Sequence, residues 1–170
     1  MFFKSSKDSA CLATLLRPDL NFDSLGELDV PWPDAMRISF DDESRASIAV
    51  ARDILSISGD FRSALLWIRE YGIWPSSEDL NLYYRLKLSY LNSNELSEEP
   101  GHHFLSHEKS DAETFLALAI QFGWGGVFIT NGTAGLSLAF SHDGLMRIIT
   151  KNEAKRTKII SKMKSTKIEI

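Results

Sequence analysis

The segment GVFITNGTAGLSLAFSHDGLMRII, residues 126–149, decides the fold class of this chain. It contains three short runs of alternating or β-branched residues, at 126–130, 136–140 and 145–149. The linkers between these runs, NGTAG and SHDG, are strong turn sequences. A period of two interrupted by tight turns predicts a three-stranded antiparallel meander.

Upstream of the meander the periodicity is helical. Apolar residues recur at helical spacing in four segments, which glycine, proline or loop residues separate. Ser110 and Glu113 form an S-x-x-E capping box, which predicts the start of the last helix. The first predicted helix ends at Gly59, and the others cover residues 61–71, 78–91 and 111–122. The expected fold is α+β, with about four helices packed on a small antiparallel sheet.

The chain has 170 residues, of which 44% are hydrophobic and 25% charged, as expected of one globular domain. Residues 1–40 are rich in proline and turn-forming residues and are expected to be an irregular N-terminal arm. The single α+β domain is expected to cover residues 41–150, followed by a basic C-terminal tail, residues 151–170. The histidine-containing segment 102–107 fits either a short strand or an irregular connection.

Charge is distributed unevenly along the chain. Residues 151–170 carry seven basic and two acidic side chains, whereas residues 1–150 carry 12 basic and 21 acidic ones. The net charge is therefore +5 in the tail and −9 in the body, which disfavours nucleic acid as a partner except at the tail. An acidic body favours a basic protein partner. The candidate partner-binding residues form two acidic clusters, Asp41, Asp42 and Glu43 in one and Glu95, Glu98 and Glu99 in the other.

Cysteine content and hydropathy indicate the compartment. Cys11 is the single cysteine, which excludes an internal disulfide framework and fits a reducing compartment. Residues 1–16 lack the apolar core of a signal peptide, and no stretch reaches the roughly 18–20 apolar residues that cross a bilayer. We expect a cytoplasmic protein without a membrane partner.

The strongest candidate for chemistry is a pair of histidines with a glutamate. His103, His107 and Glu108 follow the spacing H-x-x-x-H-E, and two histidines four residues apart on a helix can both face a zinc ion. However, a Pro-Gly turn at 100–101 precedes the motif and the next predicted helix follows soon after it. A histidine-containing loop is therefore the favoured interpretation, and no metal or other cofactor is expected.

The sequence Ser141-His142-Asp143 contains the residue types of a hydrolase triad in consecutive positions. Successive strand side chains point to opposite faces, so the three residues cannot act on one substrate as a triad. A turn, with Gly144 at positive φ, is the favoured interpretation. One alternative stays open, in which His142 joins His103, His107 and Glu108 in a pocket.

Five motifs occur in this order along the chain: YGIWPSS, LYYRL, PGHHFL, FGW and SHD. Together they resemble a group of short uncharacterised bacterial proteins over about residues 60–148. That group carries no assigned activity, so the resemblance implies a family and no function.

The expected function is that of a small acidic protein-binding module, comparable to an inhibitor or an immunity protein that covers a basic nuclease. A binding role is favoured over catalysis because no complete catalytic motif is present. Two alternatives are a metal-dependent hydrolase that uses His103, His107 and Glu108, and a structural subunit of a larger assembly.

Overall fold

The computed structural model describes residues 1–22, 36–37, 44–71, 77–131 and 136–150, together with residues 154, 157 and 161. The helices with defined bounds in this part are α1 (Ser6–Leu16), α2 (Ser44–Ser58), α3 (Ser77–Ser89) and α4 (Lys109–Gln121). The strands are β1 (Phe2–Lys4), β2 (Met36–Arg37), β3 (Ser63–Glu70), β4 (Gly101–Leu105), β5 (Gly125–Thr130), β6 (Ser137–Phe140) and β7 (Leu145–Ile149).

All described strands join one antiparallel sheet in the order β1-β4-β3-β5-β6-β7-β2. The α+β class is confirmed, and β5, β6 and β7 form the predicted meander. The predicted size of the sheet is wrong. Instead of three strands it has six strands of three residues or more, extended by the two-residue strand β2.

The helix predicted over residues 61–71 is a strand in the structure. This strand, β3, lies between β4 and β5, and five consecutive residues, 64–68, are buried. A strand that is covered on both faces has no polar side, so its sequence is a continuous apolar run. Such a run cannot be distinguished from a buried helix by its periodicity.

Helices cover both faces of the sheet. On one face, Leu66 and Phe128 pack in a core with residues of α2, α3 and α4, among them Ile54 and Phe115. On the other face, Leu65, Trp67, Val127 and Ile129 pack against Ala13 of α1. The alternation of side chains along β3 therefore divides its apolar residues between two cores.

The N-terminal segment differs from the expected irregular arm. Residues 2–4 form β1, which pairs with β4, and residues 6–16 form α1. The Ser5 side chain caps α1 by accepting a hydrogen bond from the Asp8 amide at 3.2 Å. Composition misled the prediction because one short strand and one amphipathic helix occupy only part of a turn-rich stretch.

Residues 102–107 belong to β4 and to a 3-10 turn, Ser106–Glu108, that leads into α4. Helical structure thus begins before Ser110, and the predicted capping box does not start it. Instead, the Glu108 carboxylate accepts a hydrogen bond from the Leu105 amide at 2.8 Å.

The predicted basic tail, residues 151–170, lies outside the described residues apart from three helical, exposed positions. None of the helices in the described part has the length and apolar character needed to cross a membrane.

Candidate functional site

His103 is half-buried on β4, and its Nε2 atom lies 2.7 Å from the Ser63 hydroxyl oxygen. Burial lowers the pKa of its imidazole, and the positive charges of Lys4 and the N-terminus lower it further. His103 is therefore neutral near pH 7, in a hydrogen bond between neighbouring strands.

His107 and Glu108 contribute to different surroundings. The His107 side chain is 74% exposed, and its Nε2 atom lies 4.0 Å from Glu108 Oε1. Glu108 contacts the Met1 ammonium group through Oε1 and the Leu105 amide through Oε2. Its carboxylate thus ties β1 to the end of β4. Among the described residues, no group of three histidine, cysteine, aspartate or glutamate side chains is placed to hold a metal ion.

His142 lies in the turn between β6 and β7, with a carboxylate at each ring nitrogen. Nδ1 is 2.9 Å from Glu70 Oε2, and Nε2 is 3.3 Å from Asp143 Oδ1. The hydrogen bond to Glu70 is the main cause that raises the pKa of His142. Glu70 ends β3, whereas Ser63, at its start, pairs with Leu105. The structure therefore places His142 at the opposite end of β3 from Glu108 and does not form the pocket considered above.

The acidic loop, residues 92–100, connects α3 to β4 and contains one of the two predicted acidic clusters. The Glu98 and Glu99 amides donate to the Glu95 carbonyl oxygen at 3.2 and 3.0 Å, which closes one helical turn. Leu96 inserts its side chain into the core and is fully buried. Leu96 therefore anchors the turn to the core, and the Glu95 and Glu98 side chains are exposed on the turn.

A buried lysine supports this loop. Lys87 of α3 is fully buried, donates to the Asn94 carbonyl oxygen at 2.9 Å and lies 4.5 Å from the centre of the Phe3 ring. Burial lowers the pKa of its ammonium group, while the carboxylates of Glu99 and Glu98 act in the opposite direction. These carboxylates thus compensate part of the cost of burying a charge.

The three glutamates of the loop have different surroundings. Glu99 is half-buried and accepts a hydrogen bond from the Asn92 side chain at 2.7 Å. Within the part of the chain that the structure describes, Glu95 accepts a hydrogen bond from the Ser97 hydroxyl at 3.2 Å and Glu98 accepts one from the Glu95 amide at 3.3 Å, and both donors belong to the turn itself. Two of the three predicted carboxylates are therefore exposed to solvent, and the third mainly shapes the loop. The other cluster, Asp41, Asp42 and Glu43, lies outside the described residues.

Sequence reasoning missed a buried polar pair next to the loop. His102 is fully buried on β4, its Nε2 atom lies 2.7 Å from the Tyr83 hydroxyl and its Nδ1 atom 3.3 Å from the Leu66 carbonyl oxygen. Burial, together with the charge of Lys87, lowers the pKa of His102 to about 3. Two adjacent histidines in a strand must point to opposite faces, and this signal would have identified one of them as a core residue.

We compared the chain with family models, curated proteins and solved structures, and no match was found. The resemblance to a group of uncharacterised bacterial proteins therefore stays a prediction.

Proposed function

We propose that the protein is a small acidic protein-binding module that recognises a basic surface on another protein, in the manner of an inhibitor or an immunity protein. The observation that carries this proposal is the arrangement of Glu95 and Glu98 on a fixed, exposed turn. Carboxylates arranged in this way attract a basic partner and align it during encounter.

The anchoring of the turn supports the proposal as much as its charge does. The buried Leu96 side chain and the bond from Lys87 to Asn94 hold the loop from two positions. A loop that is already ordered loses little conformational entropy when it binds, so more of the interaction energy becomes affinity. A solubilising acidic segment does not require such anchoring.

Pull-down from native lysate, with the retained proteins identified by mass spectrometry, tests this function. The wild-type chain is compared with a variant that combines Glu95→Gln and Glu98→Gln, since glutamine preserves the size of each side chain and one of its acceptor oxygens while removing the charge. We expect a basic protein that the wild type retains and the variant largely loses. Removal of two exposed ion pairs, worth up to about 1 kcal/mol each, weakens binding by up to roughly thirtyfold.

Asp60→Asn is the charge control. It removes one exposed carboxylate outside the acidic loop and is compared with Glu95→Gln, which removes one within the loop. Asp60 is exposed and precedes the start of β3, at the end of the sheet away from the acidic loop. This control should retain the same protein as the wild type, and higher salt should weaken every capture because exposed charges are screened beyond about 10 Å at 0.1 M. Capture that is indifferent to salt and to the double variant would refute recognition through this loop.

A further inference from the structure

A leucine, Leu91, occupies the position after α3 that glycine usually takes at the end of a helix. The Asn92 amide donates to the Lys87 carbonyl oxygen at 3.3 Å and the Leu91 amide to the Leu88 carbonyl oxygen at 2.9 Å. These two bonds form a Schellman motif, which places Leu91 in the left-handed region with φ 59°. Among the described residues, Leu91 is the only one other than glycine with a positive φ.

Two other helices, α2 and α4, show which residue this position prefers. The same pair of bonds ends α4, where Trp124 donates to Ala119 and Gly123 to Ile120, and a glycine follows α2 as well. Both of these glycines, Gly59 and Gly123, have positive φ. A leucine in this conformation brings its Cβ atom close to its own backbone and costs free energy that glycine does not.

The Leu91 side chain is not buried in the core, so hydrophobic packing does not offset this strain. Leu91 is 97% exposed, the highest value among the exposed large hydrophobic residues that the structure describes, and Leu88, three residues earlier, is 55% exposed. Unfavourable backbone conformations that persist without a structural benefit are typical of functional sites. The strain and the exposure therefore point to contact with something outside the chain.

Leu91 adjoins the acidic loop directly. Asn92 follows it and donates to the Glu99 carboxylate at 2.7 Å, and Asn94 is held by Lys87. The segment between the leucines and the exposed Glu95 and Glu98 is thus ordered by hydrogen bonds. An apolar centre with a charged rim is the usual organisation of a protein interface.

We propose that Leu91, with Leu88 beside it, is the apolar anchor of this acidic surface, and that its partner is a protein segment presenting apolar side chains flanked by lysine or arginine. The proposal rests on the proposed function and names the chemistry of the partner. Charge complementarity selects this occupant over a second copy of the chain, because the acidic rims of two copies would repel each other.

Fluorescence anisotropy with two labelled peptides tests the anchor. One peptide is a short amphipathic helix of leucine and lysine, and the other replaces every leucine with serine at the same charge. We expect the wild type to prefer the leucine peptide, and Leu91→Gly or Leu91→Asn to weaken that binding about tenfold, as expected when one leucine is no longer buried. Both variants should also melt at a higher temperature than the wild type, since glycine and asparagine tolerate the left-handed conformation.

Leu15→Gln is the matched control, because Leu15 is an exposed leucine on α1, which covers the other face of the sheet. It should leave the preference for the leucine peptide unchanged.

The outcomes separate the anchor from the proposed function. If Leu91→Gly binds the leucine peptide as the wild type does, the anchor is overturned. The proposed function survives in that case if the variant with Glu95→Gln and Glu98→Gln binds both peptides more weakly. If the acidic double variant binds both peptides as the wild type does, the proposed function fails, and the anchor of an acidic surface fails with it. Analytical ultracentrifugation tests the remaining occupant, a second copy of the chain. If the wild type sediments as a dimer and Leu91→Asn as a monomer, the second copy is the occupant and the proposal is overturned.

Discussion

His102 and Tyr83 form a pair that lies entirely within the core, with ring centroids 5.8 Å apart. The neutral imidazole shares a hydrogen bond with the Tyr83 hydroxyl, so neither group is left buried without a partner. Protonation of His102 would place a second positive charge near the buried Lys87. The pair therefore depends on His102 staying neutral.

The pH dependence of stability is the prediction for this residue. The pKa of His102 falls from its ordinary 6.5 to about 3 on folding, so between these values the unfolded chain binds a proton that the folded chain does not. The resulting stability is present above about pH 6.5 and is lost as the pH falls toward 3, by up to about 1.4 kcal/mol per pH unit. Urea denaturation at a series of pH values measures this slope, to which His103 adds in the same direction because its pKa is lowered as well.

His142 changes the free energy of unfolding with pH in the opposite direction, so its contribution must be separated from that of His102. Its pKa is raised in the folded state, so its contribution is present at low pH and is lost as the pH rises through the raised value. His142→Gln removes that contribution and should leave the acid-side slope in place. NMR titration of the folded protein gives an independent measurement, and a His102 ring that titrates near 6.5 would contradict the assignment.

At the scale of elements, the pairing of β3 with β5 requires close approach of two backbones. Gly126 lies opposite Ile68, and a Cβ atom at Gly126 would lie 2.3 Å from the Trp67 carbonyl oxygen. Because the obstacle is backbone in the central strand, the sheet itself must shift to accept a side chain. The glycine is therefore a requirement of the pairing.

Gly126→Ala should lower the free energy of unfolding by about 1–3 kcal/mol, the usual cost of inserting a methyl group into a packed region. Urea denaturation measures the change. Gly59→Asn is a useful comparison, since a Cβ atom at Gly59 meets no atom within 4 Å and asparagine tolerates positive φ. Equal stability of Gly126→Ala and the wild type would show that β3 and β5 lie further apart than the structure has them.

At the scale of the whole molecule, the body and the basic tail are expected to be energetically separate. Residues 151–170 carry seven basic side chains and few large apolar ones, so a chain truncated after Thr150 should keep its core. We expect the melting temperature to change by less than about 3 °C, the shift that about 1 kcal/mol produces in a domain of this size. A much larger drop in a thermal denaturation experiment would mean that Ile159, Ile160 and Met163 pack on the body.

The sequence by itself determined the elements that a local periodicity or a strong turn sequence marks. The helical spacing of apolar residues identified α2 and α4, and the turns NGTAG and SHDG with the alternating runs around them identified the meander. The acidic character of residues 92–100 was also readable, because charge is a property of composition. Each of these signals is local. Helical spacing reports which side of a helix is covered, and the turn sequences mark the limits of β5 and β6 although both strands are buried along their whole length.

Only the tertiary structure decided the features that depend on what covers each residue. The strand β3 is apolar from Ala64 to Ile68 because α1 covers one face and α2 and α4 cover the other, and this removes the periodicity that would have identified it. The same holds for the site. The sheet directs His102 into the core and His103 toward Ser63, and the Schellman motif after α3 turns Leu91 into solvent beside an acidic loop that the buried Leu96 anchors. The cover of β3 and the surroundings of the two histidines arise from contacts between residues distant in the chain, which no local pattern encodes. The Schellman motif is local, but the sequence does not signal it because a leucine occupies the position that glycine usually takes.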